Sequence, residues 1–293
     1  MSLKSTSTIY LIWKQLRPQQ WSKNVLLFSA LLFAQEYGNI NALLLSVFSF
    51  FAYSLTASSI YIFNDYKDIE SDRNHPVKRY RPMASGLLKP KLALGIGAVL
   101  LLGSLSTSFI VNPIFFLILI VYFVTNIMYS LYLKHVVIID MMIIAFGFVL
   151  RAIGGAVIIE VPFTPWFLLC AMLLSLFLAI GKRRHELVLS MEENKSHRKV
   201  LENYSLPFLD QLISIVSSAT IVSYAVFTFT SRNSPYLMWT IPFVIYGIFR
   251  YLYLIHIKKL GGAPEKILLE DKHILATVIL YTMSVIVILT YFS

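Results

Sequence analysis

The sequence predicts an all-α polytopic membrane protein, a single domain over residues 1–293 with nine transmembrane helices. Three observations predict it. Of 293 residues, 57% are hydrophobic and only 14% charged, where soluble domains carry about 25% charged residues. The mean hydropathy is +0.71. The apolar residues gather in runs of about 20, the length a helix needs to cross a bilayer, without the ten-residue dyad alternation of a membrane barrel. Lys and Arg fall almost wholly on one side of those runs. A soluble enzyme, a disordered tail protein and a secreted disulfide scaffold are excluded. Cys170 is the single cysteine, so no internal disulfide exists.

The elements follow in order. Residues 1–23 lack a long apolar core and a small-residue cleavage site, which predicts an interfacial helix and not a signal peptide. Spans are predicted at 24–42 (the weakest), 44–63, 92–111, 114–133, 139–159, 163–181, 209–230, 235–256 and 274–292. With the N-terminus cytoplasmic and the C-terminus outside, the internal segments hold 22 of the 25 Lys and Arg, the external loops only Arg232, and the spans Arg151 and Arg250. The net charge of +10 is thereby a topology signal and not a nucleic-acid one. All acidic residues except Glu36 and Glu160 also lie inside or at internal helix ends, so the polar chemistry is concentrated at one face.

The most informative stretch begins where the second span ends. It runs Asn64-Asp65-Tyr66-Lys67-Asp68-Ile69-Glu70-Ser71-Asp72-Arg73-Asn74-His75-Pro76-Val77-Lys78-Arg79-Tyr80-Arg81-Pro82. If the helix continues, Asp65, Asp68 and Asp72 share one face and Glu70 points elsewhere. Stacked like charges repel unless a cation neutralises them. Mg²⁺ prefers hard oxygen ligands and takes carboxylates together with substrate phosphates. Lys78, Arg79 and Arg81 follow at once, held in a turn by Pro76 and Pro82. Cations beside a carboxylate cluster suit a polyphosphate ligand.

The run N-D-x-x-D-x-x-x-D after the second span resembles the first aspartate-rich motif of the UbiA superfamily of intramembrane prenyltransferases. The continuation H-P-x-K-R-x-R-P-x-A-x-G resembles the decaprenyl-phosphate phosphoribosyltransferase branch. So do Arg17-Pro18-Gln19-Gln20-Trp21-Ser22-Lys23-Asn24, Tyr129-Ser130-Leu131-Tyr132-Leu133-Lys134, Leu150-Arg151-Ala152-Ile153-Gly154-Gly155-Ala156, Gly181-Lys182-Arg183, and Gly261-Gly262-Ala263-Pro264-Glu265 followed by Asp271. The resemblance implies a UbiA-like bundle with an active-site cavity facing the cytoplasm, in a bacterial inner (plasma) membrane. It implies Mg²⁺ on Asp65, Asp68 and Asp72, with Asp140 as a further catalytic residue. It also implies transfer of 5-phosphoribosyl from phosphoribosyl pyrophosphate to a polyprenyl phosphate, toward an arabinan precursor for the cell envelope. One departure stands out. After the sixth span, where prenyl-diphosphate enzymes of the superfamily carry a second aspartate-rich motif, this chain has Gly181-Lys182-Arg183-Arg184-His185-Glu186-Leu187. That favours a donor with an extra phosphate over the alternative, prenyl transfer to an aromatic acceptor.

The remaining candidates are interfacial by composition and phosphate-binding by resemblance: Lys23, Asn24, Asn64, Tyr129, Lys134, Lys182 and Arg183. Asp140 and Arg151 are 11 residues apart and share a helix face about 16 Å apart. Arg151 at that depth is expensive unless paired, so a structural pairing and a substrate role stand equal. His185-Glu186 lacks the second histidine of H-E-x-x-H, because position 189 is Leu. A transporter predicts polar groups strung through the spans, and Asp140 and Arg151 are almost alone there. A homo-oligomer is compatible with the sequence, which is silent on it.

Overall fold

The computed structural model describes residues 7–74, 77–193, 199–230 and 234–292; His75, Pro76 and Arg232 lie outside these. The chain forms α1 (Thr8–Leu16), a 3-10 run Pro18–Phe28, α2 (Ser29–Phe33), α3 (Ile40–Lys67), α4 (Ile69–Arg73), α5 (Pro90–Val111) and α6 (Pro113–Leu131). It continues through α7 (Ile139–Ile158), α8 (Pro165–Glu193), α9 (Leu206–Thr230), α10 (Ile241–His256), α11 (Pro264–Glu270) and α12 (Lys272–Tyr291). Among the described residues eight helices are long and apolar enough to cross a membrane: α3, α5 to α9, α10 together with the 3-10 turn before it, and α12. Their starts are written locally. Asn39 accepts from the backbone of Asn41 and Ala42, Asn112 from Ile114 and Phe115 with Pro113 at the first helical position, and Asp271 from Ile274.

The first predicted span, 24–42, is not one helix. Arg17 and Gln35 adopt left-handed backbone at φ 54° and 59°, and Pro18 opens a 3-10 run that ends in the two-turn-or-less α2. The polar stretch Gln35-Glu36-Tyr37-Gly38-Asn39 then closes the segment, and Asn39 caps α3 four residues earlier than predicted. Residues 18–39 nevertheless run antiparallel along α3. Trp21 Nε1 donates to Ser58 Oγ at 3.1 Å and Asn24 Nδ2 to Ser54 Oγ at 3.0 Å, while Asn39 stands at the opposite end of the helix. Their backbone sinks against α7, where a Cβ on Gly155 would stand 2.2 Å from the Leu27 carbonyl oxygen.

The inside of the bundle is not more apolar than its outside, as expected when lipid is the solvent. The buried face of α3 is mostly small and hydroxylated: Ala42, Ser46, Ser49, Ala52, Ser54, Thr56, Ala57, Ser58 and Ser59. Thr56 bonds Ser104 at 3.0 Å, and Ser59 donates to the Gly97 carbonyl at 2.9 Å, drawing α3 onto α5. Large apolar side chains such as Val99, Leu102, Ile110 and Val222 point outward. One core joins Tyr53, Phe115, Leu119 and Tyr122 of the first half. A second joins Phe177, Leu209, Ile213, Ile248 and Ile255 of the second half. Beside the second core lies an apolar cavity of 400 Å³ between the 18–33 segment and α8 to α12, lined by residues including Phe33, Phe167, Phe227 and Tyr281.

Candidate active site

α3 outlasts its predicted span and carries Asn64 and Asp65 on its last turn. The expectation of one helix through Asp72 fails at Asp68, the C-cap of α3 (φ −94°, ψ 9°), after which the chain restarts as α4. Three carboxylates at helical spacing repel one another, and each finds a cationic partner instead. Asp65 and Asp72, 3% and 2% exposed, meet through one guanidinium. Arg81 Nη1 donates to Asp65 Oδ1 at 3.0 Å and to Asp72 Oδ2 at 2.6 Å. Arg17, which stacks over Tyr61 at 5.2 Å, also donates to Asp65 Oδ1. Gln15 Nε2 donates to Asp65 Oδ2 at 2.7 Å. Asp68 is paired with Lys134 Nζ at 3.6 Å, and the Ser130 hydroxyl donates to Asn64 Oδ1. The loop motif after α3, the start of the chain and the end of α6 are thus drawn to one mouth.

A second cluster sits at the junction of α6, α7 and α8. Arg183 and Asp140, 1% and 0% exposed, pair through Nε and Oδ2 at 2.6 Å. Arg183 also donates to Glu186 Oε2 at 2.5 Å and to the Tyr129 hydroxyl at 3.4 Å. Tyr204 arrives from the α8–α9 connection. Its hydroxyl donates to Asp140 Oδ1 at 2.8 Å and accepts from the Ile138 N–H at 2.6 Å. Burial pushes the Tyr204 phenol up to about 12, so it stays a donor across the physiological range. Ile138 has φ 70°, a conformation strained for a β-branched residue, and the Tyr204 contact helps hold it. Lys78 stands near both clusters: partial desolvation and the charge of Arg81 lower its pKa, against the pull of Asp72, Asp68 and Glu186.

The other predicted residues divide. Arg151, 5% exposed, donates to Asn24 Oδ1 at 2.7 Å, to the Gly147 carbonyl at 2.9 Å and to the Tyr122 hydroxyl at 2.9 Å. It also stacks over Tyr122 at 4.9 Å and Phe148 at 5.1 Å. Asn24 is 1% exposed, so this pair is a brace between the 18–39 segment, α6 and α7. Lys23 and Lys182 are half-buried beside Asn24 and Arg183, and Arg79 is exposed and folded over Tyr80 at 4.9 Å. Gln15, Arg17, Ser130, Glu186 and Tyr204 join the site without having been singled out from sequence. Arg17, Ser130 and Glu186 lie within the motifs quoted above; Gln15 and Tyr204 carry no local signal, since each meets its partner only through packing.

Among the described residues no three His, Cys, Asp or Glu side chains stand close enough together to hold a metal ion. The donor chemistry nevertheless fits Mg²⁺. Asp65, Asp68, Asp72 and Asn64 offer hard oxygens at one mouth. Arg81 Nη1 lies within 3.0 Å of both Asp65 Oδ1 and Asp72 Oδ2, with Arg17 on the same Asp65 oxygen.

An all-helical bundle long and apolar enough to span a membrane, with acidic and basic side chains interlocked at one mouth, is the architecture of a UbiA-type membrane transferase. The UbiA prenyltransferase family matches residues 24–269, and the chain belongs to that family. Its relatives include the decaprenyl-phosphate phosphoribosyltransferases of Mycobacterium tuberculosis, 34% identical over 88% of this chain and 87% of that one, and of Mycolicibacterium smegmatis, 35% identical over 88% and 86%. A UbiA homologue from Archaeoglobus fulgidus solved with GPP and Mg²⁺ shares the fold, with a TM-score of 0.71, 20% identity, and 94% and 99% of the two chains covered.

Proposed function

We propose that this protein transfers the 5-phosphoribosyl group of phosphoribosyl pyrophosphate to a polyprenyl phosphate and releases pyrophosphate. The observation that carries this reading is the cationic end of α8. Lys182 and Arg183 stand where a second acidic motif would serve a prenyl diphosphate, and Arg183 is held by Asp140, Glu186 and Tyr129. The relatives named above support the same substrates.

The two clusters divide the work. Lys78, Arg81 and Arg17 stand at the aspartate mouth and gather the pyrophosphate end of the donor. Arg183, Lys182 and Lys134 provide cations for the ribose 5-phosphate and the acceptor phosphate. Asp140 acts through Arg183, fixing the guanidinium from a buried position. Asn64, Asp65, Asp68 and Asp72 would hold Mg²⁺, which supplies neutralisation of the leaving pyrophosphate. An acceptor phosphate oxygen attacks the anomeric carbon as its bond to the pyrophosphate oxygen breaks. The acceptor is already an anion at neutral pH, so the site orients it and needs no general base. Carboxylates near the sugar stabilise its oxocarbenium character. The apolar cavity beside α8 takes the lipid end of the acceptor. Counting the broken 18–39 segment as a traverse gives nine crossings, and the Lys and Arg partition turns the mouth to the cytoplasm.

A donor swap tests this. Purified protein in lipid with Mg²⁺ receives labelled phosphoribosyl pyrophosphate with a polyprenyl phosphate in one reaction, and a prenyl diphosphate with 4-hydroxybenzoate in the other. Labelled lipid only in the first, abolished by EDTA, is the expected result. Product only in the second overturns the substrate assignment and leaves the family intact.

A further inference from the structure

Gln15 sits on the inner face of α1 and is 2% exposed. Its amide is used at one end only. Nε2 donates to Asp65 Oδ2 at 2.7 Å, and Oε1 is buried with no hydrogen-bond partner. The orientation is dictated by Asp65: the reverse would set a carbonyl oxygen against a carboxylate. A buried amide oxygen without a donor is costly, and such atoms mark a catalytic group, a strained element or a place for water.

Its contact also splits the Asp65 carboxylate. Oδ2 is given to Gln15, whereas Oδ1 receives the cations Arg17 and Arg81, the latter shared with Asp72. Oδ2 keeps a second lone pair beside the amide, so Gln15 fixes the orientation of Asp65 without closing it to an incoming ion. Mg²⁺ keeps several waters when it binds through one or two carboxylates, and those waters are hydrogen-bond donors in need of acceptors.

We propose that Gln15 is a positioning residue of the cation site: Nε2 holds the Asp65 carboxylate in place through Oδ2, and Oε1 accepts a hydrogen bond from water carried by the ion. This rests on the reading of Asp65 as a Mg²⁺ ligand. Groups that orient a metal's ligands typically contribute 10–100-fold to its affinity.

The test uses full-length protein in lipid nanodiscs, with Mn²⁺ as the probe and free Mn²⁺ read by electron paramagnetic resonance. Gln15→Met keeps the length of the side chain and removes both hydrogen-bonding ends. Its Mn²⁺ Kd rises by about 10–100-fold. The Mg²⁺ concentration for half-maximal turnover rises in step, while kcat at saturating Mg²⁺ stays within about threefold of wild type. Gln15→Asn keeps an amide but falls one methylene short of Asp65, and shows the same loss; it serves where Gln15→Met does not fold. Wild-type protein that binds Mn²⁺ with either variant binding equally well overturns the role of Gln15 alone. So does a fall in kcat with Mn²⁺ affinity unmoved, the mark of a purely structural residue. Wild-type protein that binds no Mn²⁺ overturns the cation site itself, and this role with it.

Discussion

Arg81 sets the resting character of the mouth. One of its nitrogens bridges Asp65 and Asp72, so two buried carboxylates that would otherwise repel are held neutralised and close together. Such pairs cost desolvation, and losing one partner leaves the other charge stranded. Replacing a carboxylate with its amide is gentler than truncation, because the shape and the acceptor oxygen remain. Asp65→Asn and Asp68→Asn are therefore expected to fold, Asp68→Asn with a melting midpoint close to wild type and Asp65→Asn with a lower one because Arg17 loses its anion. Both are expected to lose turnover by roughly 100-fold or more through the missing charge. Labelled-lipid formation and thermal unfolding in the same preparation check both halves. Metal-dependent turnover retained in both variants would falsify the ligand assignment.

At the scale of elements, the broken segment 18–39 and the turn before it help to position the site. Its entrance holds Arg17 on Asp65, and its middle is locked by Asn24 on Arg151 and Ser54. Gly155 lets its backbone lie on α7, since a Cβ there would meet the Leu27 carbonyl oxygen at 2.2 Å and its carbon at 2.9 Å. Both clashing atoms are backbone, so no side-chain rotation relieves them. Gly155→Ala is expected to cost about 1–3 kcal/mol of overpacking and to weaken turnover by loosening Arg17 at the mouth. A lowered melting midpoint in detergent, with activity falling alongside, is the expected outcome; an unchanged midpoint refutes this packing account. α1 adds a second influence. It exposes Ile9, Tyr10 and Trp13 on one side and buries Leu11 and Gln15 on the other, the pattern of a helix lying in an interface.

Across the whole molecule, the two ends of the bundle are chemically distinct. The acidic and basic mouth lies at the end of α3. At the other end the last turn of α12 meets the α2–α3 connection, where the Tyr37 hydroxyl bonds Thr290 at 2.9 Å. With nine crossings, Ser71 and Gly38 stand on opposite sides of the membrane, and Phe292 shares the side of Gly38. Single cysteines at these three positions, in a Cys170→Ser background, are expected to react with an impermeant maleimide from the cytoplasmic side at position 71 and from the other side at 38 and 292. Labelling of all three from one side would sink the topology.

The spans from α3 to α12, the membrane class and the acidic and basic loop were legible because hydropathy and charge are sums over neighbouring residues. Asp65, Asp72 and Arg81 lie within one short stretch, so their association needed little more than a turn. The first span was not legible as it folds, since an apolar average over 24–42 does not register a left-handed Gln35 or a 3-10 run. The sequence by itself determined a membrane transferase of this family with its polar chemistry at one face. Only the tertiary structure decided which oxygen of Asp65 faces which cation, that Asp140 pairs with Arg183, and that Asn24 and Arg151 brace one another. Those pairings join residues 43 to 127 positions apart, and they exist only because burial without water obliges each polar group to find a partner within the bundle.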